Sequence, residues 1–316
     1  MTQHQLPATP DTVTVGTLDQ SLPFVLTINP GDTVTMETAN HWADAVTPET
    51  TLDDVVALRT ERYPGVGPHS VTGPIEVAGA RPGDVLRVEV ERLVPREHGF
   101  NLFLPAAFET GLLFEDFPEG RVRHFTHDLD TMTTQFLPGV TVPLEPFLGI
   151  MAVAPGQPGP HSTVPPGLYG GNMDIPELTE GAVLYLPVWV DGAGFGAGDA
   201  HSKQGHGEVC LTAIETAMRE ARLRFSLLEQ ARWTQPRIET PDLWITTGFD
   251  PDLLTASQAA VRDMIRLLGE RYDLSAEDAY SLCSVAVDLS VTQVVNRVRG
   301  VHARLPKRLF DRERTP

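Results

Sequence analysis

Runs of two-residue alternation constrain this chain more than any other feature. TVTVGTL (12–18), DTVTMET (32–38), DVLRVEVERLV (84–94) and AVLYLPVWV (182–190) place Val, Thr and Leu on every second position. That period suits strands with one face against a core. Turn residues bound them: NPGDTV, RPGDVL and TEGAVL each set a Gly just before a strand. With 27 Pro and 27 Gly in 316 residues, few helical patterns precede residue 210. One Pro- and Gly-rich connection, VAPGQPGPHSTVPPGLYGGN (153–172), is too long for a hairpin and sits between apolar flanks.

Helical signals come later. EVCLTAIETAMREA (208–221) reads as a helix buried against a sheet, with Glu208 near its start. TASQAAVRDMIRLLGERY (255–272) is the clearest helix, its start capped by Thr or Ser. A further helix begins at Ser275, with Asp278 completing a capping pair. LRFSLLEQ (223–230), LWITTGF (243–249) and VAVDLSVTQVV (285–295) read as strands. The expectation is a β-rich α+β fold of sandwich- or barrel-like sheets with a C-terminal α/β portion. A body over 1–215 and a portion over 216–316 pack as one integrated unit, since no low-complexity linker divides them.

A net charge of −18 argues against nucleic acid and anionic membrane as partners, because both are bound by clustered Lys and Arg. No apolar run approaches the roughly 20 residues of a membrane span. The polar opening MTQHQLPATPDTV lacks a leader's apolar region, and the expected compartment is the cytoplasm. Cys210 and Cys283 are expected as thiols there.

The stretch FGAGDAHSKQGHGEVC (195–210) gathers Asp199, His201, Gln204, His206 and Glu208 among small residues. On an extended backbone Asp199 and His201 share a face. The glycines that follow let the chain turn and return Gln204, His206 or Glu208 to the same point. Asp, His and Glu are ligands for divalent cations, and a bound cation activates water against an amide or ester. The bland reading is a capped turn with backbone-bonded histidines. GLYGGNMDIPEL (167–178) is the second candidate: Gly170 and Gly171 permit close backbone approach, and Asp174 suits a ligand or a histidine-orienting carboxylate. His69, between prolines and glycines, is the third. His41, His98, His124 and His127 rank lower, and His161 and His302 cannot be ranked.

These pieces also stand in a familiar order. PF-x-G-x-M-x-VAP, GGNMD, LYLPV, GD-x-H-x-x-QG-x-GEVC and TAIE, all within 146–215, resemble the acetamidase/formamidase family. GPHSVTGPIEVAGARPGDVL (67–86), ITTGFDPDL (245–253) and VTQVVNRVRGVHARLPK (291–307) extend the resemblance to roughly residues 10–310. The resemblance implies hydrolysis of a small amide to carboxylate and ammonia, with a divalent metal, zinc first and calcium second, in a homo-oligomer. By that resemblance Asp199, His201, Asp174 and His69 hold the metal. The resemblance also implies catalytic roles for Glu208, Asp174 and Gln204 and a substrate contact for Asn172. Gly171, for its close backbone approach, and His206, for its place in the polar stretch, are expected at the substrate from the residues themselves. Three positions depart from the family's pattern: Ala200 replaces Gly, His206 replaces Asp, and Gly194 replaces Leu, the last opening room for a bulkier amide or a lactam. Two rival readings stand beside this one. One is a cysteine amidase using Cys210 with Lys203 and Glu208; the other is a non-catalytic small-molecule binder.

Overall fold

In the computed structural model, which describes residues 1–310, two large sheets stack around one core. The last six residues of the 216–316 portion lie outside the described residues. The nine-stranded sheet runs Gln3–Leu6, Thr33–Met36, Met218–Leu228, Val85–Pro95, Val183–Pro187, Arg237–Glu239, Leu243–Asp250, Arg299–Pro306, Asp288–Gln293. It takes strands from both sides of residue 215. The eleven-stranded sheet is centred on Phe195–Lys203, which pairs antiparallel with Phe147–Ala152, Ile214–Thr216 and Ser70–Val77. The fold is thus β-rich α+β, as the alternation anticipates.

Period 2 explains how the nine-stranded sheet is buried on both faces. Leu184 and Leu186 point to the inter-sheet core with Val88, Phe225 and Phe195, while Val183 and Tyr185 point the opposite way. On that outer face lie the helices Leu253–Tyr272 and Ala276–Ala286, which contribute Met264, Leu267, Leu268 and Ala279. Gly248 lets the long helix come close: a Cβ there would stand 2.0 Å from the Ala256 carbonyl oxygen. Among the described residues no helix is long and apolar enough to cross a membrane.

Two local expectations are corrected. Residues 208–221 do not form a helix. The chain turns through Glu208 (φ +46°) and Leu211 (φ +124°), then enters the strands Ile214–Thr216 and Met218–Leu228. Met218–Leu228 is paired along both edges, by Val85–Pro95 and Thr33–Met36, and that long-range ladder overrides local helix propensity. The long helix is capped by Asp252, whose side chain accepts from the Thr255 N–H, rather than by Thr or Ser. At the second helix Ser275 does cap, accepting from the Asp278 N–H. The 153–172 connection is ordered: His161–Ser162 pairs with Thr17–Leu18, and Gly170–Asn172 joins the sheet beside Phe147–Ala152.

One ionic group ties the long helix to the sheet. The Arg237 side chain, 2% exposed, makes two bonds to Asp263 at 2.8 and 2.9 Å and one to Glu270 at 2.6 Å. Asp263→Ala removes two of the three bonds and leaves that buried guanidinium with the half-exposed Glu270 as its remaining carboxylate partner. Urea denaturation should then show a loss of about 3–5 kcal/mol.

Candidate active site

The site grows from the central strand Phe195–Lys203. His201 lies opposite Glu215 in the register, and their side chains meet at 3.2 Å (Nε2 to Oε2). Asp199 sits within this strand at φ +51°, a left-handed conformation that a strand interior rarely holds. Asp174 (φ +53°) and Glu208 (φ +46°) share it. Three acids in strained backbone around one point mark a functional centre more than a packing need. The neighbouring Gly198 is obligatory, since a Cβ there would lie 1.9 Å from the Ser70 carbonyl oxygen.

His41 arrives from another part of the chain. It precedes Trp42 and Ala43, both left-handed. Their segment is stitched to the 68–70 stretch: Trp42 N–H donates to the Pro68 carbonyl at 2.7 Å, and Ala43 N–H donates to Ser70 Oγ at 2.8 Å. This sets His41 Nε2 at 3.2 Å from Asp199 Oδ1 and 3.3 Å from Glu215 Oε2. His69 lies behind, its Nε2 4.0 Å from Asp199 Oδ2 and its Nδ1 bonded to Thr163 Oγ1 at 2.9 Å. Asp174, His201 and Glu208 form an adjoining group, with ligand atoms within 4.8 Å of one another.

The surrounding hydrogen bonds fix orientation. Gln204 Oε1 bonds His201 Nδ1 at 2.9 Å, and its amide nitrogen donates to the Asp174 carbonyl at 3.0 Å. His201 therefore turns Nε2 toward Asp199 and Glu215. Asn296 donates to Asp174 Oδ2 at 2.6 Å.

Four buried carboxylates, Asp174, Asp199, Glu208 and Glu215, face three buried imidazoles. Burial favours the neutral acid, but the His69 and His201 imidazoles hold Asp199 well below the usual carboxylate range. The same balance lowers Glu215: burial is the largest single influence and raises it, but the His201 and His41 imidazoles together more than offset that. Burial, reinforced by Asp174, pushes Glu208 well above the usual range. Asp174 rises to about 7, chiefly through burial. Burial would lower His41, yet Glu215 and Asp199 raise it to about 9, and they raise His201 strongly as well. His69 falls to about 4, because burial exceeds the pull of Asp199.

These residues fit a divalent cation. Asp174 Oδ1 and Glu208 Oε2 are buried without a hydrogen-bond partner, a costly state for carboxylate oxygens, while Glu215 Oε2 has no aligned hydrogen bond but faces the imidazoles of His201 and His41. Donors about 2.0–2.1 Å from a tetrahedral ion stand roughly 3.3–3.4 Å apart. Among His201, Glu215, His41 and Asp199 three separations of 3.2, 3.2 and 3.3 Å are close to that edge, and His201 Nε2 stands 3.6 Å from Asp199 Oδ2, the other oxygen of the carboxylate that meets His41. Gly149 leaves room for the acids: a Cβ there would lie 2.6 Å from Asp174 Oδ1 and 2.9 Å from Asp199 Oδ2. Gly149→Ala should cost about 1–3 kcal/mol of stability and weaken the uptake of any added divalent cation, read by elemental analysis after dialysis.

A cavity of about 470 Å³ opens onto the centre, with His41, His69, Asp199, Glu208 and Glu215 at its polar end. Trp42, Leu102, Leu104 and Phe108 form part of its apolar wall. Asn172 also lines it, its amide donating to the Val164 carbonyl at 3.2 Å while its buried Oδ1 has no partner. Gly171 holds the backbone beside it at φ +88°.

The structure brings together Asp199, His201, Gln204, Glu208, Asp174 and His69, with Asn172 along the cavity wall and Gly171 next to it in the chain. It sets His206 apart: that imidazole is partly exposed and faces Glu177 at 3.4 Å. Sequence reasoning missed Glu215, hidden by the helix assigned over it, and ranked His41 low. It also missed Asn296. Gly194 is remote from the cavity, packed near Ala154 and Phe24, so it cannot widen it. Ala200 faces the inter-sheet core. The cysteine trio is not assembled: Lys203 pairs with Glu145, Glu208 turns to Asp174 and His201, and Cys210 Sγ accepts from Asn101 at 3.3 Å.

Fold and site together define a β-rich protein built around a buried acid–imidazole centre at the base of a cavity. The Acetamidase/Formamidase family profile matches residues 11–162 and 158–312, and the chain belongs to that family. An acetamidase from Bacillus halodurans superimposes with a TM-score of 0.87 at 28% identity, over 97% of this chain and 98% of that one. An acetamidase from Yersinia enterocolitica gives 0.88 at 28% identity, over 98% and 93%. A formamidase of Methylophilus methylotrophus is 26% identical over 247 residues, 62% of this chain and 60% of that protein. The chain thus spans about 60% of the length of the curated relatives it matches.

Proposed function

We propose that this chain is an amidohydrolase that splits a small aliphatic amide, with water, into a carboxylate and ammonia. The observation that carries the reading is the cluster of buried carboxylates and imidazoles at the base of the cavity, with Glu208 Oε2 left without a partner. Family membership supports the same chemistry. Asp199, His201, Glu215 and His41 would hold a divalent cation, with His69 behind them and Asp174 beside them. Mixed imidazole and carboxylate donors favour zinc over calcium, which prefers oxygen alone. Such a cation, when bound, supplies carbonyl polarisation and a lowered pKa for water.

The protein's own groups supply the rest. Glu208 lines the cavity with a free Oε2; burial keeps its carboxyl neutral in the metal-free centre, and beside the charge of a bound cation it would ionise, take a proton from the attacking water and pass it to the leaving nitrogen. Asn172 lines the cavity with a partnerless Oδ1, which would accept an N–H of the carboxamide. Gln204 keeps Nε2 of His201 aimed inward. The apolar wall excludes water from the acyl side. A cavity of about 470 Å³ exceeds what acetamide fills, which favours an amide with a larger acyl group. The acidic composition and the two free cysteines support a cytoplasmic enzyme, and the exposed apolar Leu112, Leu113, Phe117 and Val209 support a homo-oligomer.

Ammonia release from a panel running from formamide and acetamide to longer aliphatic amides tests the reading. Turnover that rises with acyl length before falling is expected. Release from no member contradicts it.

A further inference from the structure

A second imidazole–carboxylate cluster lies outside the amidase centre. Three distant segments build it. Glu177 follows Asp174, His206 lies in the loop after the central strand, and His302 lies on Arg299–Pro306 of the other sheet. Both imidazoles approach the same carboxylate oxygen: His302 Nε2 is 3.3 Å and His206 Nε2 is 3.4 Å from Glu177 Oε1.

We propose that Glu177, His206 and His302 form a second divalent-metal site, suited to zinc and related borderline cations. Two imidazoles and a carboxylate are a donor set for such ions. The separations again agree with the roughly 3.3–3.4 Å edge of a tetrahedral zinc site. His302 is fully buried, and Thr292 Oγ1 bonds its Nδ1 at 2.6 Å, so Nε2 is left aimed at the cluster. Glu177 Oε2, the oxygen not engaged by the imidazoles, is buried without a partner, so the carboxylate keeps an unused donor atom for a cation. The 37% exposure of the His206 side chain provides access from solvent.

Arg304 competes for this position. Its NH1 lies 3.3 Å from Glu177 Oε1, and its side chain is 28% exposed, so it can withdraw toward water when a cation enters. The cluster also connects to the amidase loop. The Thr292 carbonyl accepts the Gly207 N–H at 2.9 Å and the Gln204 amide at 3.4 Å. A cation tying His206 to His302 would therefore brace the loop that carries Gln204 and Glu208.

Calorimetric titration of Zn²⁺ into protein whose central site is already metal-loaded tests this. The wild type is expected to take up one equivalent more than His206→Asn, with matching central metal content by elemental analysis. Glu177→Gln should also lose that equivalent, and thermal melting would show whether each variant is folded. Arg304→Gln should tighten the extra binding, because the competing guanidinium is gone. Equal zinc uptake by wild type and a folded His206→Asn would overturn the site. Weaker uptake by folded Arg304→Gln would make the cluster an ion-pair group only.

Discussion

With a cation in the proposed centre, chelation is expected to cut the proposed amide hydrolysis roughly a thousandfold or more, and added zinc to restore it. The size follows from several kcal/mol of transition-state charge stabilisation, at about 1.4 kcal/mol per factor of ten. The stripped protein should stay folded. Without a cation, His41, raised to about 9, and His201, raised strongly, carry protons at pH 7 and balance Asp199 and Glu215. Metal ligation needs neutral imidazoles, so zinc binding at pH 7 should release protons. Titration in buffers of different ionisation heat would measure that release. Full hydrolysis by protein shown to be metal-free would refute the role of the cation.

Glu208→Gln should lower kcat by about 10²–10⁴, the usual contribution of a positioned general acid–base. The substitution keeps shape and removes the transferable proton. Because Asp199, His201, Glu215 and His41 would carry the cation, metal content and KM should change little. A loss of metal together with activity would instead make Glu208 a ligand. Unchanged kcat would place the proton transfer elsewhere, with Asp174 the next nearest acid.

Much of this architecture is written locally. The alternation of 84–94 and 182–190 predicts strands, and the structure places them as adjacent partners, Val85–Pro95 and Val183–Pro187. Asp199 and His201 are legible because both stand on one short stretch among glycines. Asp174 is legible for the same reason, two residues beyond Asn172. His41 is not, because its partner Asp199 is 158 residues away and nothing in ANHWAD signals the contact. Glu215 was obscured by a period error. The apolar positions of 208–221 satisfy a helix on paper, but two sheets claim the segment, turning Ile214–Thr216 into one and Met218–Leu228 into the other. His206 shows the converse: proximity in sequence to His201 and Glu208 suggests a shared site, yet the turn after Gln204 directs it to Glu177 and His302.

The central claim is that Asp199, His201, Glu215 and His41 surround one catalytic cation. Anomalous diffraction at the zinc edge, from crystals of protein with demonstrated amidase activity, tests it most directly. A peak within bonding distance of the facing nitrogen and oxygen atoms of those four side chains is the predicted result. An active crystal with no peak among them would contradict it.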